Sequence, residues 1–215
     1  MNRLLIIGAG GFGREVYAWA GQISRDERDW EVGGFLDANP CALEGFQRPV
    51  SVLADPATYV PQAADRFVCA IGDPKTRLAL CRGLRERGGR FVTLRHPSVI
   101  VGTNCRIGDG CVLCPGAVLT SDVTLGDFVV VNVHACVAHD VVVGDGSILS
   151  PHSDVNGFGK LGEGVFLGSH AVVLPGAKVG DYGVVGAGSV VLKRVASHAT
   201  VVGVPAKQIF TSAPR

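Results

Sequence analysis

The feature that most constrains this 215-residue chain is a six-residue repeat that runs through residues 101–196. The first residue of each of sixteen successive blocks is aliphatic, and the fifth is usually small. Such a repeat is typical of hexapeptide parallel β-helices, in which each block supplies a short strand and a corner, and three blocks close a triangular coil. Residues 18 apart should therefore stack at the strand spacing of about 4.8 Å. The aliphatic positions are Val101, Ile107, Leu113, Leu119, Leu125, Val131, Val137, Val143, Leu149, Val155, Leu161, Leu167, Val173, Val179, Val185 and Val191.

Composition argues against some classes of binding partner. A net charge of +1 with 18% charged residues gives no reason to expect a nucleic-acid partner, and no apolar run is long enough to predict membrane insertion. The seven cysteines are odd in number and scattered through apolar or small-residue positions, which indicates reduced thiols in a cytoplasmic protein. Cys111 and Cys114 lack a second pair to complete a zinc site, so no metal is expected.

A strand, a glycine turn and a helix are predicted at the start of the chain. Residues 3–8 form a short apolar run, residues 8–13 fit the pattern G-x-G-x-x-G, and a helix is predicted over 14–22. In this context glycines let backbone amides and a helix N-terminus approach a phosphate, although a tight turn that binds nothing has the same pattern. A second predicted strand ends at Asp37, where an acid can hold a ribose.

The remaining elements before the repeat complete half of a doubly wound domain. Strands are predicted over 67–72 and 91–94 and a helix over 74–87, which leaves room for one nucleotide. His96 and Pro97 separate this part from the repeat. We therefore predict an α/β half-Rossmann nucleotide-binding domain over residues 1–95 and an all-β parallel β-helix over 96–215, which ends in a turn and a short tail.

His139 and Asp140 are the candidate catalytic pair in the repeat. A neutral imidazole accepts a proton near pH 7, and a neighbouring carboxylate can orient it. Neighbours in a strand point to opposite faces, but His139 is the third residue of its block and lies close to a corner, so the two side chains can meet. An exposed histidine beside a solvated aspartate is the alternative. Cys136 has no activating cation nearby and is not expected to be a nucleophile.

Three further histidines share one phase of the repeat. His134, His152 and His170 recur at intervals of three blocks and should stack in consecutive coils. The stack is interpreted as a polar ladder, bridged by water or at a subunit contact, with a metal role as the alternative.

Several of these motifs together resemble the NeuD family of sugar acyltransferases. That family includes sialic acid O-acetyltransferases and the N-acetyltransferases of nucleotide-linked 4-amino sugars. The resemblance covers nearly the whole chain, and its motifs are residues 8–16, 34–40, 70–73, 139–140 and 203–207.

The resemblance implies a left-handed β-helix and a homotrimer with active sites between subunits. It implies acetyl-CoA as the acyl donor, a nucleotide-sugar as the acceptor, and direct transfer without an acyl-enzyme. His139 matches the family's catalytic histidine and Asp140 its acidic partner. The implied nucleotide-sugar contacts are Gly10, Gly11, Phe12, Gly13 and Asp37, and the implied acetyl-CoA contacts are Gly157, Ser169, Ala187 and Lys207.

This chain departs from the family pattern at positions that bear on substrate identity. Phe12 replaces a histidine that often contacts substrate, Ala38 replaces a second acid, and Ile148 replaces a histidine found near the acetyl group in some N-acetyltransferases. The nucleotide, the sugar and the choice between an amine and a hydroxyl acceptor therefore stay open. Two rival hypotheses are a γ-type carbonic anhydrase, suggested by the spacing of His134 and His139, and a non-catalytic trimeric protein that binds sugar nucleotides.

Overall fold

The computed structural model describes residues 1–47 and 49–211. The N-terminal part is built on a parallel sheet whose strand order is β3-β2-β1-β4. Residues 4–7 of the central strand are fully buried, which explains why that strand is continuously apolar. Its elements are β1 (Asn2–Ile7), α1 (Gly11–Ala20), a 3₁₀ turn (Arg25–Glu27), β2 (Trp30–Leu36), β3 (Val52–Ala54), β4 (Asp65–Cys69) and α2 (Pro74–Glu86).

Some of the sequence-based boundaries in this part are wrong. Helix α1 begins at Gly11, inside the glycine motif, because the Gly10 carbonyl already accepts the Arg14 N–H at 3.0 Å. Strand β3 was not predicted. The predicted strand over 91–94 is reduced to one bridge between Phe91 and Phe67, and its last residue belongs to β5 (Leu94–Arg95), which pairs with the repeat instead.

The repeat forms a left-handed parallel β-helix, a three-sided prism whose faces we call face 1, face 2 and face 3. Each coil visits the three faces in that order, and each strand pairs with the strand one coil away.

The three faces have eight, six and six strands. Face 1 consists of β5, β8 (Val112–Leu113), β11 (Val130–Val131), β14 (Ile148–Leu149), β17 (Phe166–Leu167), β20 (Val184–Val185), β23 (Ala199–Val202) and the antiparallel β24 (Lys207–Thr211). Face 2 consists of β6 (Ile100–Val101), β9 (Val118–Leu119), β12 (Cys136–Val137), β15 (Asp154–Val155), β18 (Val172–Val173) and β21 (Val190–Val191). Face 3 consists of β7 (Arg106–Ile107), β10 (Thr124–Leu125), β13 (Val142–Val143), β16 (Lys160–Leu161), β19 (Lys178–Val179) and β22 (Arg194–Val195).

The fourth residue of a block turns the corner in the left-handed region of backbone space. Asp140 has φ 59°, and Phe158, at the same position of the next coil, has φ 60°. Non-glycine residues rarely adopt this conformation, and Asn, Asp and His adopt it most readily. The non-glycine residues at this position are Asn104, Asp122, Phe128, His134, Asp140, His152, Phe158, His170 and Tyr182.

The last block of the repeat is shorter than predicted. Val195 rather than residue 197 takes the next inward position and is 4% exposed. Only Leu192 and Lys193 connect β21 to β22, and Arg194, instead of Ala196, consequently pairs with Lys178. The inward aliphatic positions otherwise follow the predicted phase, and those from Leu113 to Val191 form one buried cluster.

The N-terminal part packs on face 1. Val112, Cys114, Val130 and Ile148 point outward from that face and belong to the same buried cluster as Leu4 of β1.

Side chains of α2 add polar contacts where face 3 turns into face 1. Arg77 is fully buried and donates to the carbonyl of Phe128 at 2.6 Å, and Arg85 pairs with Asp127 at 2.7 Å. Among the described residues, neither α-helix is long and apolar enough to cross a membrane.

Val142 and Val143 provide a matched test of the inward phase. They are neighbours in β13, yet Val143 is 1% exposed and Val142 is 42% exposed. Val143→Ala should lower the free energy of unfolding by about 2 kcal/mol, because it removes buried methyl groups and leaves a cavity. Val142→Ala should lower it by less than about 0.5 kcal/mol. Urea titrations compare the two variants, and equal losses would contradict this phase.

Candidate active site

The imidazole of His139 and the carboxylate of Asp140 are in contact. His139 Nδ1 lies 2.9 Å from Asp140 Oδ2. The two residues lie in the corner between faces 2 and 3, where the left-handed φ of Asp140 breaks the strand alternation that would separate neighbouring side chains. The side chains are 57% and 44% exposed, so the imidazole remains open to a ligand. Among the described residues its Nε2 atom has no hydrogen-bond partner.

Gly157 and Phe158 lie next to His139 in the following coil. The Phe158 N–H donates to the His139 carbonyl at 3.1 Å, and the Phe158 ring stands edge-on to the imidazole with centroids 5.2 Å apart. A β-carbon on Gly157 would come within 2.5 Å of the imidazole, so glycine leaves room for the ring. Sequence reasoning missed Phe158. The sequence feature that could have indicated it is its position, 18 residues and therefore one full coil after Asp140.

The glycine turn combines a packing role with open space. A β-carbon on Gly13 would collide with the carbonyl of Gly8, so this glycine allows α1 to approach β1. At Gly10 a β-carbon would meet nothing within 4 Å. Gly10 also offers no side-chain cap, and the first amides of a helix have no partner within it. The N-terminus of α1 therefore presents free backbone donors of the kind that bind phosphate.

Asp37 and Phe12 lie beside this turn. Asp37 accepts the Ala9 N–H at 2.7 Å through one carboxylate oxygen and the Asn39 N–H at 2.9 Å through the other. The carboxylate therefore stabilises the conformation of the glycine turn through these two hydrogen bonds. Phe12 is partly buried, and its ring packs edge-on against Trp19 with centroids 6.2 Å apart.

The three residues at the third position of their blocks do not form one track in a single chain. Gly157 lies in the same corner as His139. Ser169 and Ala187 lie in the corner between faces 1 and 2, where the Gly188 N–H donates to the Ser169 carbonyl at 2.9 Å. Lys207 is exposed at the start of β24, at the C-terminal end of face 1.

The histidines that share one phase of the repeat stack as predicted. The ring centroids of His134 and His152 are 5.3 Å apart, and those of His152 and His170 are 4.9 Å apart with an interplanar angle of 3°. They lie in the corner between faces 1 and 2, whereas His139 lies in the corner between faces 2 and 3, so His134 and His139 do not meet within one chain. Within residues 1–47 and 49–211, no group of three or more His, Cys, Asp or Glu could hold a metal ion.

Cys111 and Cys114 do not form a metal-binding or redox pair. All seven cysteines are free thiols. Cys111 points into the prism and Cys114 towards the N-terminal part, so the two lie on opposite sides of face 1. Burial raises the pKa of the Cys111 thiol to about 12. Burial, with a smaller effect of Asp154, also raises the pKa of Cys136, which disfavours a thiolate nucleophile there.

The glycine turn and His139 lie on opposite sides of the prism. The N-terminal part covers face 1, and His139 lies in the corner between faces 2 and 3, which is the edge opposite face 1. One chain therefore carries both candidate sites without joining them.

Two family models match separate parts of the chain. The model described as the PglD N-terminal domain matches residues 3–84, and the model described as bacterial transferase hexapeptide (six repeats) matches residues 159–193. No curated protein matches the chain.

Several solved structures are similar over nearly the full length. PerB from Caulobacter crescentus, in complex with CoA and GDP-perosamine, is 32% identical with a TM-score of 0.87, and the match covers 98% of both chains. The acetyltransferase domain of PglB from Neisseria gonorrhoeae is 27% identical with a TM-score of 0.88 (97% of this chain, 100% of that one). WeeI from Acinetobacter baumannii is 26% identical with a TM-score of 0.81 and the same coverage. With a relative at 32% identity along its whole length, the chain belongs to the NeuD family of acyl-CoA-dependent sugar acyltransferases.

Proposed function

We propose that the protein transfers the acetyl group of acetyl-CoA directly to the amine of a nucleotide-linked 4-amino sugar, with His139 as the general base. The observation that carries the proposal is the His139–Asp140 pair, held at 2.9 Å in an open corner where Nε2 makes no hydrogen bond to the described residues. The similarity to PerB bound to CoA and GDP-perosamine, and to the PglB domain bound to acetyl coenzyme A, supports this choice of donor and acceptor.

The reaction needs one proton acceptor close to the sugar nitrogen. As the amine attacks the thioester carbonyl carbon, His139 Nε2 takes a proton from the nitrogen. The carbon–sulfur bond then breaks, and the imidazolium returns the proton to the departing thiolate. Asp140 accepts the Nδ1 hydrogen bond, which fixes the orientation of the ring and stabilises its cation.

Gly157 is the candidate donor to the oxyanion. Its N–H makes no hydrogen bond within the described part of the chain, and a β-carbon on this residue would come within 2.5 Å of the His139 ring. A fixed backbone donor beside the base stabilises the negative charge that develops on the carbonyl oxygen without having to reorient.

The acceptor's phosphates are assigned to the glycine turn. The open space at Gly10 and Gly11 and the free amides of α1 suit a diphosphate. Gly72, Asp73 and the first residues of α2 lie at the same sheet edge. With Phe166 and Tyr182 they line a cavity of about 330 Å³ that lies next to the prism.

A homotrimer joins the two candidate sites. Face 1 is covered by the N-terminal part and face 3 carries cations. Face 2 is uncovered and presents apolar side chains, among them Ile100, Val172, Leu174 and Leu192, around one carboxylate, Asp154. An exposed apolar face of this kind favours self-association. Packing around face 2 lets the His139 corner of one chain approach the glycine turn and the Ser169 corner of the next.

Removal of the base tests the mechanism. His139→Ala should lower kcat by about 10²–10⁴-fold and leave the affinity for CoA unchanged, because only proton transfer is lost. The assay follows thiol release from acetyl-CoA with UDP-, GDP- and dTDP-linked 4-amino sugars and detects the acetylated product by mass spectrometry. His96→Ala is the matched control, since His96 bonds Gln22 and Ser98 outside this site. Near-wild-type turnover by His139→Ala would refute the assignment, and the absence of transfer to any amino sugar by the wild type would refute the proposed acceptor.

A charge introduced on face 2 tests the trimer. Val172 and Val142 occupy the same outward strand position on faces 2 and 3. Val172→Asp should dissociate the trimer, because it places a second carboxylate directly opposite Asp154 in the contact, whereas Val142→Asp should not. Light scattering coupled to size-exclusion chromatography measures the mass. A wild-type monomer, or a trimer that survives Val172→Asp and dissociates with Val142→Asp, would contradict face 2 as the interface.

A further inference from the structure

Phe158 has a strained backbone conformation beside the candidate base. Its φ is 60°, in the left-handed region that a bulky aromatic residue rarely adopts. Residues held in sparsely populated backbone conformations persist where packing or function requires them, and they cluster at functional sites. The conformation of Phe158 therefore needs an explanation, either in the fold or in the site.

The fold explains two other Phe or Tyr residues at the same position of a block, but it does not explain Phe158. Phe128 is 1% exposed, and the Tyr182 hydroxyl donates a hydrogen bond to Glu163. Phe158, by contrast, is 58% exposed, and the ring that it contacts is the imidazole of His139. Burial does not offset the strain at Phe158, which favours a role in the site.

The Phe158 ring forms an exposed apolar wall next to the imidazole. It stands at 86° to the His139 ring, with centroids 5.2 Å apart. One coil further along the same corner, the corresponding position is Gly176, where a β-carbon would meet nothing within 4 Å. This corner of the next coil therefore adds no side chain over the Phe158 ring.

The proposed reaction puts the acyl carbon beside this wall. The carbon must lie close both to the amine at His139 Nε2 and to the Gly157 N–H that binds the oxyanion, and reacting atoms approach to about 3–3.5 Å. Gly157 and Phe158 are consecutive, and the Phe158 ring contacts the imidazole, so the ring borders the same space. In the tetrahedral intermediate the acyl carbon carries nitrogen, oxygen, sulfur and a methyl group. Only the methyl group is apolar, so it is the substituent that suits the ring.

We propose that Phe158 is a specificity-determining residue that limits the transferred acyl group to two carbons. The inference rests on the proposed function, which puts the thioester carbonyl between His139 and Gly157. The acetyl methyl packs on the ring, whereas the third and fourth carbons of a longer chain would have to occupy the volume of the ring. An additional methylene in an apolar site changes kcat/KM by about 10–200-fold.

Acyl-CoA donors of different chain length test the proposal. The kcat/KM for acetyl-, propionyl- and butyryl-CoA is measured with the amino-sugar acceptor. Phe158→Ala should raise the kcat/KM for butyryl-CoA relative to acetyl-CoA about tenfold or more, because it empties the volume of the ring. Its kcat/KM for acetyl-CoA should fall about two- to fivefold, because the methyl group loses one apolar contact. A purely structural disturbance of His139 would instead lower all three values in proportion.

Phe210 provides a matched control. It is 60% exposed in β24, at the C-terminal end of face 1 and away from the His139 corner. Phe210→Ala should therefore keep the wild-type preference among the three donors. An equal shift of preference in Phe210→Ala would overturn the proposal.

Phe158→Asn separates the site from the fold. Asparagine adopts the left-handed conformation readily, so the Tm of the ligand-free protein should rise by about 2–4 °C. The acyl preference should relax as in Phe158→Ala, because the ring is again absent. A lower Tm would show that the ring stabilises the fold and would contradict the proposal. An unchanged preference in both variants would also overturn it, as would a higher KM for the sugar without a change in donor preference.

Calorimetric titration without an acceptor distinguishes this inference from the proposed function. Phe158→Ala should bind butyryl-CoA about tenfold more tightly than the wild type does. It should bind CoA, which carries no acyl group, with the wild-type Kd. If this shift occurs and no amino sugar is acylated, the proposed acceptor fails and the assignment of Phe158 stands. If acetyl transfer occurs and neither the donor preference nor butyryl-CoA binding changes, the assignment of Phe158 fails and the proposed function stands.

Discussion

The register of one coil on the next is the constraint on which the rest of the structure depends. Each strand of the prism donates to and accepts from the strand one coil away, and its inward aliphatic side chain stacks on its counterparts. One coil cannot bury its own inner face, so the stack is stable only as a whole. The register decides which side chains share a corner. It places Gly157 against His139, aligns three histidines, and puts Lys178 between two cations.

The corners convert this register into chemistry. A left-handed fourth residue turns the chain and releases neighbouring side chains from strand alternation. At Asp140 this brings a carboxylate to the imidazole that precedes it, and at Phe158 it brings an aromatic ring to the same imidazole from the next coil. Asn, Asp and His, the residue types that adopt the left-handed conformation most readily, are also polar. Corners of this fold are therefore suited to carry proton-transfer groups.

The sequence predicts much of the prism because its determinants are local and periodic. The inward phase, the histidine stack and the closeness of Gly157 to His139 follow from counting in blocks and in coils. The sequence left it open whether His139 and Asp140 are in contact, because the contact depends on the φ of a single residue. The sequence analysis missed the shortened corner at Leu192 and Lys193. Val191 and Ala196 both fit the six-residue pattern, although Val195 is the residue that takes the core position.

Contacts between distant segments were beyond sequence reasoning. Nothing in the motif around Asp37 indicates that both of its oxygens are engaged by backbone amides.

The central claim is that a complete site forms only between chains, because the glycine turn and His139 lie on opposite sides of one prism. A mixing experiment tests it most directly. His139→Ala and Gly11→Glu, the second placing a carboxylate in open space at the phosphate turn, should each be inactive as homotrimers. Co-expression of the two chains in equal amounts should restore about a quarter of the wild-type sites, since one in four chain contacts pairs an intact His139 with an intact turn. No recovery of acetyl transfer in mixed trimers would contradict a site shared between chains.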